Sequence, residues 1–359
     1  MAVPLTPDEI TPEWLAEALP ADLLGGGTVT GVELSDIGEG TGIFGEIVRA
    51  SLTVDGGSGP PSVVVKMACT EPANLEVAKV LGIYDRELAM FEHVLPDAPL
   101  RTPACHFAHR ADDGRFVLVL EDLSAEFEVG DQVVGATIEQ AEAAIDAIAP
   151  LHARWWEHPD LASLEWLPSG DAPAYRAAVP GIYQAGLPVL EAEWTDRVSP
   201  EAVDVARRLA PGFEELLLRA SQGPHTLIHT DTRLDNIFFA RDGSGDVAFI
   251  DFQLALRGRG VADLVYLLGN SVPTGIAREH WERLLRGWLD RIADLGVAGY
   301  GFDEAVSHYR QSALYYLSGA MSLIGTFDSG NERGAAMTEA YTTRSLQHVV
   351  DIGAAAELP

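Results

Sequence analysis

The chain has 359 residues, more than one hydrophobic core usually serves, so about two domains are expected. Its 47% hydrophobic and 22% charged content is ordinary for a globular protein. The net charge of −30 is not ordinary, and it argues against general affinity for nucleic acid or an anionic membrane surface.

The first residues carry neither a basic region nor an apolar one, so no secretion signal is read there. Thr11-Pro12-Glu13 combines a cap, a first-turn proline and an acidic residue, which predicts a short helix over 12–19. A loosely alternating strand over 29–37 and a second over 46–54 flank a glycine-rich turn with Gly40, Gly42 and Gly45 in G-x-G-x-x-G spacing. Lying between two strands, this turn is no Rossmann fingerprint; it is either a plain glycine hairpin or one whose amides meet a phosphate, with Glu39 pointing outward. Next comes Val63-Val64-Val65-Lys66. A lysine inside such a run is costly unless its head reaches solvent or an anionic partner.

One amphipathic helix over 74–95 follows, and Glu87 is its best candidate partner for Lys66, ahead of Glu76 and Glu92. The apolar strand over 116–120 ends abruptly in Glu121-Asp122-Leu123, the expected boundary between a first lobe, 1–121, and a second, 122–359. Cys69 and Cys105 read as core thiols of a reduced, cytosolic protein. Thr137 and Gln140 form a capping box opening a helix, which Pro150 should kink or restart before His152, a structural histidine. Residues 159–200 read as loops and short helices. The remainder is mainly helical, and its most apolar run, 313–325, is too short to span a bilayer and reads as a core helix.

The chemistry concentrates in two pieces, Leu227-Ile228-His229-Thr230-Asp231-Thr232-Arg233-Leu234-Asp235-Asn236 and Phe249-Ile250-Asp251-Phe252-Gln253. Each is a short apolar strand with polar groups at its end, where a rigid floor can position chemistry. The spacing suits phosphoryl transfer to a hydroxyl: one carboxylate takes the acceptor's proton, while an amide oxygen and a second carboxylate hold a metal. The bland alternative is turn residues bonding their own backbone, and a lone structural histidine. Asp263, at a helix start, is read as an N-cap that also fixes the backbone of the Asp231 loop.

In this order these motifs resemble the α+β protein-kinase-like bilobal fold, with a β-rich first lobe and a mainly helical second one. The match is with the aminoglycoside phosphotransferase and choline kinase branch. Gly40-Thr41-Gly42, Leu120-Glu121-Asp122-Leu123, Leu151-His152-Ala153 and the His229–Asn236 segment look like the ecdysteroid-kinase-like members. The resemblance implies ATP and Mg2+ as cofactors, with Asp231 as catalytic base and Asn236 and Asp251 as metal ligands. It implies Lys66 and Glu87 as the phosphate-anchoring pair, Gly40, Thr41 and Gly42 as phosphate-binding, and Glu121 and Leu123 as adenine contacts. Thr230 replaces the family's glycine at a position expected to contribute mainly backbone. Gln253 after Asp251-Phe252, and the short gap to Asp263, favour a small hydroxylated acceptor over a protein. An aminoglycoside, an amino sugar or related alcohol is one expected acceptor, mildly favoured by the acidic chain. A sterol- or lipid-like alcohol is another, and a nucleotide-binding pseudokinase is the alternative from a different class.

Overall fold

The computed structural model describes residues 1, 3–37, 44–325 and 331–359. The chain forms two compact units, Met1–Ala98 with Thr102–Phe127, and Pro99–Arg101 with Glu128–Pro359.

The first unit is built on α1 (Pro12–Ala18), β1 (Thr28–Asp36), β2 (Gly45–Asp55), β3 (Ser62–Ala68), α2 (Pro72–Val80), α3 (Ile83–His93), β4 (Cys105–Arg110) and β5 (Phe116–Glu121). The strands make one antiparallel sheet in the order β1-β2-β3-β5-β4. Strand alternation sends Val63, Val65 and Met67 of β3 into one core with Val117, Val119 and Leu15. Val64 and Lys66 therefore face the other side. Thr11 caps α1 as its sequence requires, accepting from the Trp14 amide at 3.2 Å. The single helix expected over 74–95 is two. Gly82, at φ +63°, takes the left-handed conformation that glycine adopts without strain, and α3 starts in a new direction.

The second unit holds β6 (Phe127–Val129, starting on the first unit's last residue), α4 (Ile138–Trp155), α5 (Pro173–Glu193), α6 (Pro200–Leu209) and α7 (Phe213–Ala220). Then come β7 (Thr226–Ile228), β8 (Ile237–Ala240), β9 (Val247–Phe249), β10 (Leu256–Gly258), α8 (Val261–Tyr266), α9 (Thr274–Asp294), α10 (Phe302–Gly325) and α11 (Glu332–Asp351). The small sheets β6-β8-β9 and β10-β7 carry the sequence motifs at their ends. Among the described residues no helix is long and apolar enough to cross a membrane.

Two sequence expectations are corrected here for one reason. Pro150 does not restart its helix, because α4 runs on from its capping box through Pro150 to Trp155. Residues 159–200 contain the 21-residue α5, with Pro180 and Pro188 inside it. A proline removes one helical hydrogen bond, a cost that tertiary packing of the remaining turns can outweigh. For α5 that packing is against α10, and it depends on Gly186. A Cβ there would stand 2.3 Å from the Met321 carbonyl oxygen, a backbone atom that cannot rotate away. Gly186→Ala should therefore cost about 2 kcal/mol by overpacking, read as a lower melting temperature in calorimetry. An unchanged melt would mean the two helices are free to separate at this point.

Candidate active site

In the first unit, Lys66 and Glu87 form the expected pair, with Nζ 2.6 Å from Oε1 and both side chains almost wholly buried. Burying two charges is tolerable only because each neutralises the other, so removing one would strand its partner. Glu76 and Glu92 are exposed and stand apart from this pair. One turn before Glu87, Tyr84 on α3 donates to the Phe44 carbonyl at 2.7 Å. That helix thus fixes both the lysine and Phe44, the residue before β2. Gly40, Thr41 and Gly42 lie outside the described residues. Glu121 ends β5 with its amide donating to the Ala104 carbonyl at 2.8 Å and its carboxylate accepting from the Ala104 amide at 3.0 Å. Leu123 is buried in the turn beyond it.

In the second unit, the site is made by two strand ends. Ile237 of β8 pairs with Phe249 of β9, so Asn236 and Ile250, the residues just outside that pairing, meet through a 3.0 Å bond from the Ile250 amide to the Asn236 carbonyl. Asp251 follows at once. The Asn236 side-chain nitrogen donates at 3.0 Å to the carbonyl and to Oδ2 of Asp231. His229 ties the same pieces together. Its Nδ1 accepts from the Asp231 amide at 3.3 Å, so Nε2 carries the proton and donates to the Ile250 carbonyl at 2.8 Å. His229 is thus the structural brace that the cautious reading of the sequence allowed.

The loop between is held in a costly shape. Thr230 has φ +67°, the left-handed region that a β-branched residue avoids, at a cost of roughly 1–3 kcal/mol. This is what a glycine would supply freely at that position. The Asp263 carboxylate holds it there, accepting from the amides of His229 and Thr230, both at 2.7 Å, and from His152 Nε2 at 3.1 Å. The Thr230 hydroxyl adds a 2.7 Å bond to the Leu254 carbonyl. His152 is oriented in turn by Trp288, whose indole N–H donates to Nδ1 at 3.1 Å. Half of the double role expected for Asp263 is present: it fixes the loop, but its side chain does not cap α8, where Gly260 is the capping residue. On the other side Gln132, buried in the turn after β6, accepts from the Leu234 amide at 2.9 Å and the Ser271 hydroxyl at 2.7 Å.

These constraints leave Asp231 buried, with Oδ2 taken by Asn236 and faced by Arg233 Nε at 3.6 Å, while Oδ1 has no hydrogen-bond partner. Burial alone would push the Arg233 guanidinium down; the charge of Asp231, with smaller contributions from Tyr266, Asp251 and Asp235, turns the net shift upward. Sequence reasoning gave no role to Arg233, although it lies within the Asp231 motif itself. It missed Gln132 and Tyr266, which belong to no spacing pattern and are recruited by tertiary proximity.

The donor set fits magnesium. With its nitrogen turned to Asp231, the Asn236 amide leaves its oxygen available, and Asp251 supplies a carboxylate whose Oδ2 accepts from Gln253 at 3.3 Å. Among the described residues no three His, Cys, Asp or Glu side chains gather as a metal cage. Magnesium in nucleotide sites asks for less than that, one or two protein oxygens completed by phosphate and water.

The family model of the ecdysteroid kinase-like family matches residues 39–154 and 181–296. Among solved structures the chain is similar to the GDP complex of an aminoglycoside 2′-phosphotransferase-IIIa variant, at 13% identity and a TM-score of 0.54, over 91% of this chain and 92% of that one. It is similar to an amicoumacin kinase in complex with AMP-PNP and Ca2+, at 13% identity and 0.52, over 87% of each chain. A third likeness is to an ethanolamine kinase of Plasmodium vivax, at 11% identity and 0.50, over 87% and 82%. At these identities the likeness establishes the protein-kinase-like α+β fold. A search of curated proteins by sequence found no match.

Asp263→Asn keeps the shape of the side chain but turns an amide N–H toward donors that need an acceptor. Stranding buried hydrogen-bond groups at a charged centre costs about 3 kcal/mol, so the melting temperature should fall by roughly 5–10 °C. A melt within 1 °C of the parent protein would show that the loop does not rely on Asp263.

Proposed function

Because the chain belongs to the ecdysteroid kinase-like family, a family of small-molecule kinases, we propose that it transfers a phosphoryl group from ATP, with magnesium, to a hydroxyl of a small molecule in the cytosol. The observation that carries this reading is the buried, unpartnered Oδ1 of Asp231 on a carboxylate whose other oxygen is held by Asn236 and faced by Arg233. Such an oxygen is an acceptor kept for a group outside the protein, and a substrate hydroxyl supplies the missing donor. In this reading Asp231 orients that hydroxyl and takes its proton as the phosphorus–oxygen bond forms. Lys66, kept in place by Glu87, neutralises phosphate charge, and Gly40, Thr41 and Gly42 are assigned to phosphate binding by their sequence alone. The backbone at Glu121 and Leu123 receives the adenine. Asn236 and Asp251 hold magnesium, which would supply neutralisation and alignment of the phosphates.

The surroundings of Asp231 favour one acceptor class over the other. Tyr266, Tyr316 and Tyr341 all feel its charge, and burial first of all raises the pKa of each phenol, so all three are neutral. Residues 313–325 of α10 include no charged side chain, and the buried face of α11 offers Met337, Thr338, Thr342 and Ser345. An aminoglycoside or amino sugar is a cation and needs carboxylates for each ammonium group. Neutral phenols and hydroxyls suit an uncharged alcohol with an apolar face, the sterol- or lipid-like alternative. The chain's large negative charge is no guide to this interior.

Three substitutions test the chemistry. MgATP should raise the melting temperature of the parent protein by mass action, and Lys66→Ala should remove most of that shift. Asp231→Asn should leave MgATP affinity within a few-fold while turnover falls about a hundredfold or more. Asp251→Ala should weaken the magnesium-dependent part of ATP binding as well, measured by calorimetry with and without the metal. A pseudokinase would have no acceptor-stimulated ADP release to lose. For the acceptor, ADP release should be stimulated by uncharged ring-bearing alcohols and not by aminoglycosides; stimulation by aminoglycosides alone would reverse the assignment.

A further inference from the structure

Among the described residues, Thr230 at φ +67° and Asp251 at φ +65° are two of only three non-glycines with a left-handed backbone, and both belong to this site. For Asp251 the conformation is tolerable, because a short polar side chain is the kind that enters this region most readily. For Thr230 it is strained, since branching at Cβ crowds the neighbouring backbone. A glycine would adopt the same shape freely. What the threonine adds is its hydroxyl, which donates to the Leu254 carbonyl at 2.7 Å.

That carbonyl belongs to the last residue of the short turn Phe252–Leu254, whose N-terminal flanking residue is Asp251 itself. On the near side of Asp251, His229 Nε2 donates to the Ile250 carbonyl at 2.8 Å. Two consecutive side chains of the Asp231 loop therefore grip the chain just before and just after Asp251. Thr230 is buried and cannot yield, because Asp263 accepts from its amide and from that of His229. The turn moves as one piece, since the Ala255 amide closes it on the Phe252 carbonyl at 3.0 Å. Gln253, inside that piece, donates to Asp251 Oδ2 at 3.3 Å, so displacing the turn displaces the carboxylate.

We propose that Thr230 is a positioning residue for the metal ligand Asp251: its hydroxyl pins the turn after Asp251 to the loop that carries Asp231. The second carboxylate then keeps a fixed place relative to Asp231 and Asn236. The proposal rests on the kinase reading above, in which Asn236 and Asp251 hold magnesium. Glycine at this position would remove the strain and the pin together.

Three substitutions separate the hydroxyl from the strain. Thr230→Ser keeps the hydroxyl, Thr230→Val keeps the branched shape without it, and Thr230→Gly removes both. Calorimetry of ATP binding with and without magnesium reads the gain in affinity that the metal brings. Thr230→Val and Thr230→Gly should cut that gain roughly tenfold, the scale for removing a group that orients a metal ligand. Thr230→Ser should keep it within about twofold, and ATP affinity without the metal should be unchanged in all three. The melting temperature should fall for Thr230→Val. For Thr230→Gly it should stay within about 3 °C, because relief of strain offsets the lost bond and the freer unfolded chain. Parental magnesium dependence in Thr230→Gly overturns this role and leaves the kinase reading standing. So does an equal loss in Thr230→Ser, or a loss that follows the melting temperature across the three. If Thr230→Val does not fold, the Ser and Gly variants decide between them. A parent protein whose ATP binding gains nothing from magnesium overturns the kinase reading, and this role with it.

Discussion

One buried carboxylate governs the second unit. Asp263 accepts from three N–H groups that belong to α4 and to the loop after β7, in a place where water cannot serve them. A buried anion is expensive unless its lone pairs are filled, and filling them forces the donors to converge. The loop satisfies this by bringing two successive amides to one carboxylate, which holds the backbone at Thr230 in the left-handed region. Asp231 emerges from that turn in one orientation. The position of the candidate base is thus a consequence of an electrostatic requirement at a residue that touches no reacting atom.

The first unit applies the same logic with opposite charges. Lys66 sits on a central strand whose other face is hydrocarbon core, and its own side chain is only 6% exposed, so its charge needs a partner. Glu87 answers it from α3, and Tyr84 on that helix holds the carbonyl of Phe44. In both units a costly buried charge is converted into positional precision. The pairs contribute little net stability compared with apolar replacements, and what they add is a single geometry.

The net charge of −30 is summed over the whole chain, while the buried faces of α10 and α11 are mostly phenols, hydroxyls and methyl groups. Composition mildly favoured a cationic acceptor, whereas the acceptor proposed above is uncharged. Such a sum is a poor guide to an acceptor, which meets only a few side chains.

Sequence alone was enough for the elements whose signal is local. Thr11 and the Thr137–Gln140 capping box mark helix starts because a cap is a bond between near neighbours. Lys66 stood out as a charge inside an apolar strand, Asp231, Asn236 and Asp251 as polar groups at the ends of apolar strands, and the order of the motifs carried the fold. Tertiary structure decided everything that depends on residues far apart in the chain. Whether α4 survives Pro150, and whether 159–200 forms the long α5, depends on packing that no window contains. That Asp263 serves the loop and does not cap α8 depends on where β7 passes. Gln132 joins the loop of Asp231 at the Leu234 amide across 102 residues, and no local pattern records such a partner. Propensity and spacing act over a few residues, whereas the geometry at a reacting atom is set by contacts between elements that only the folded chain brings together.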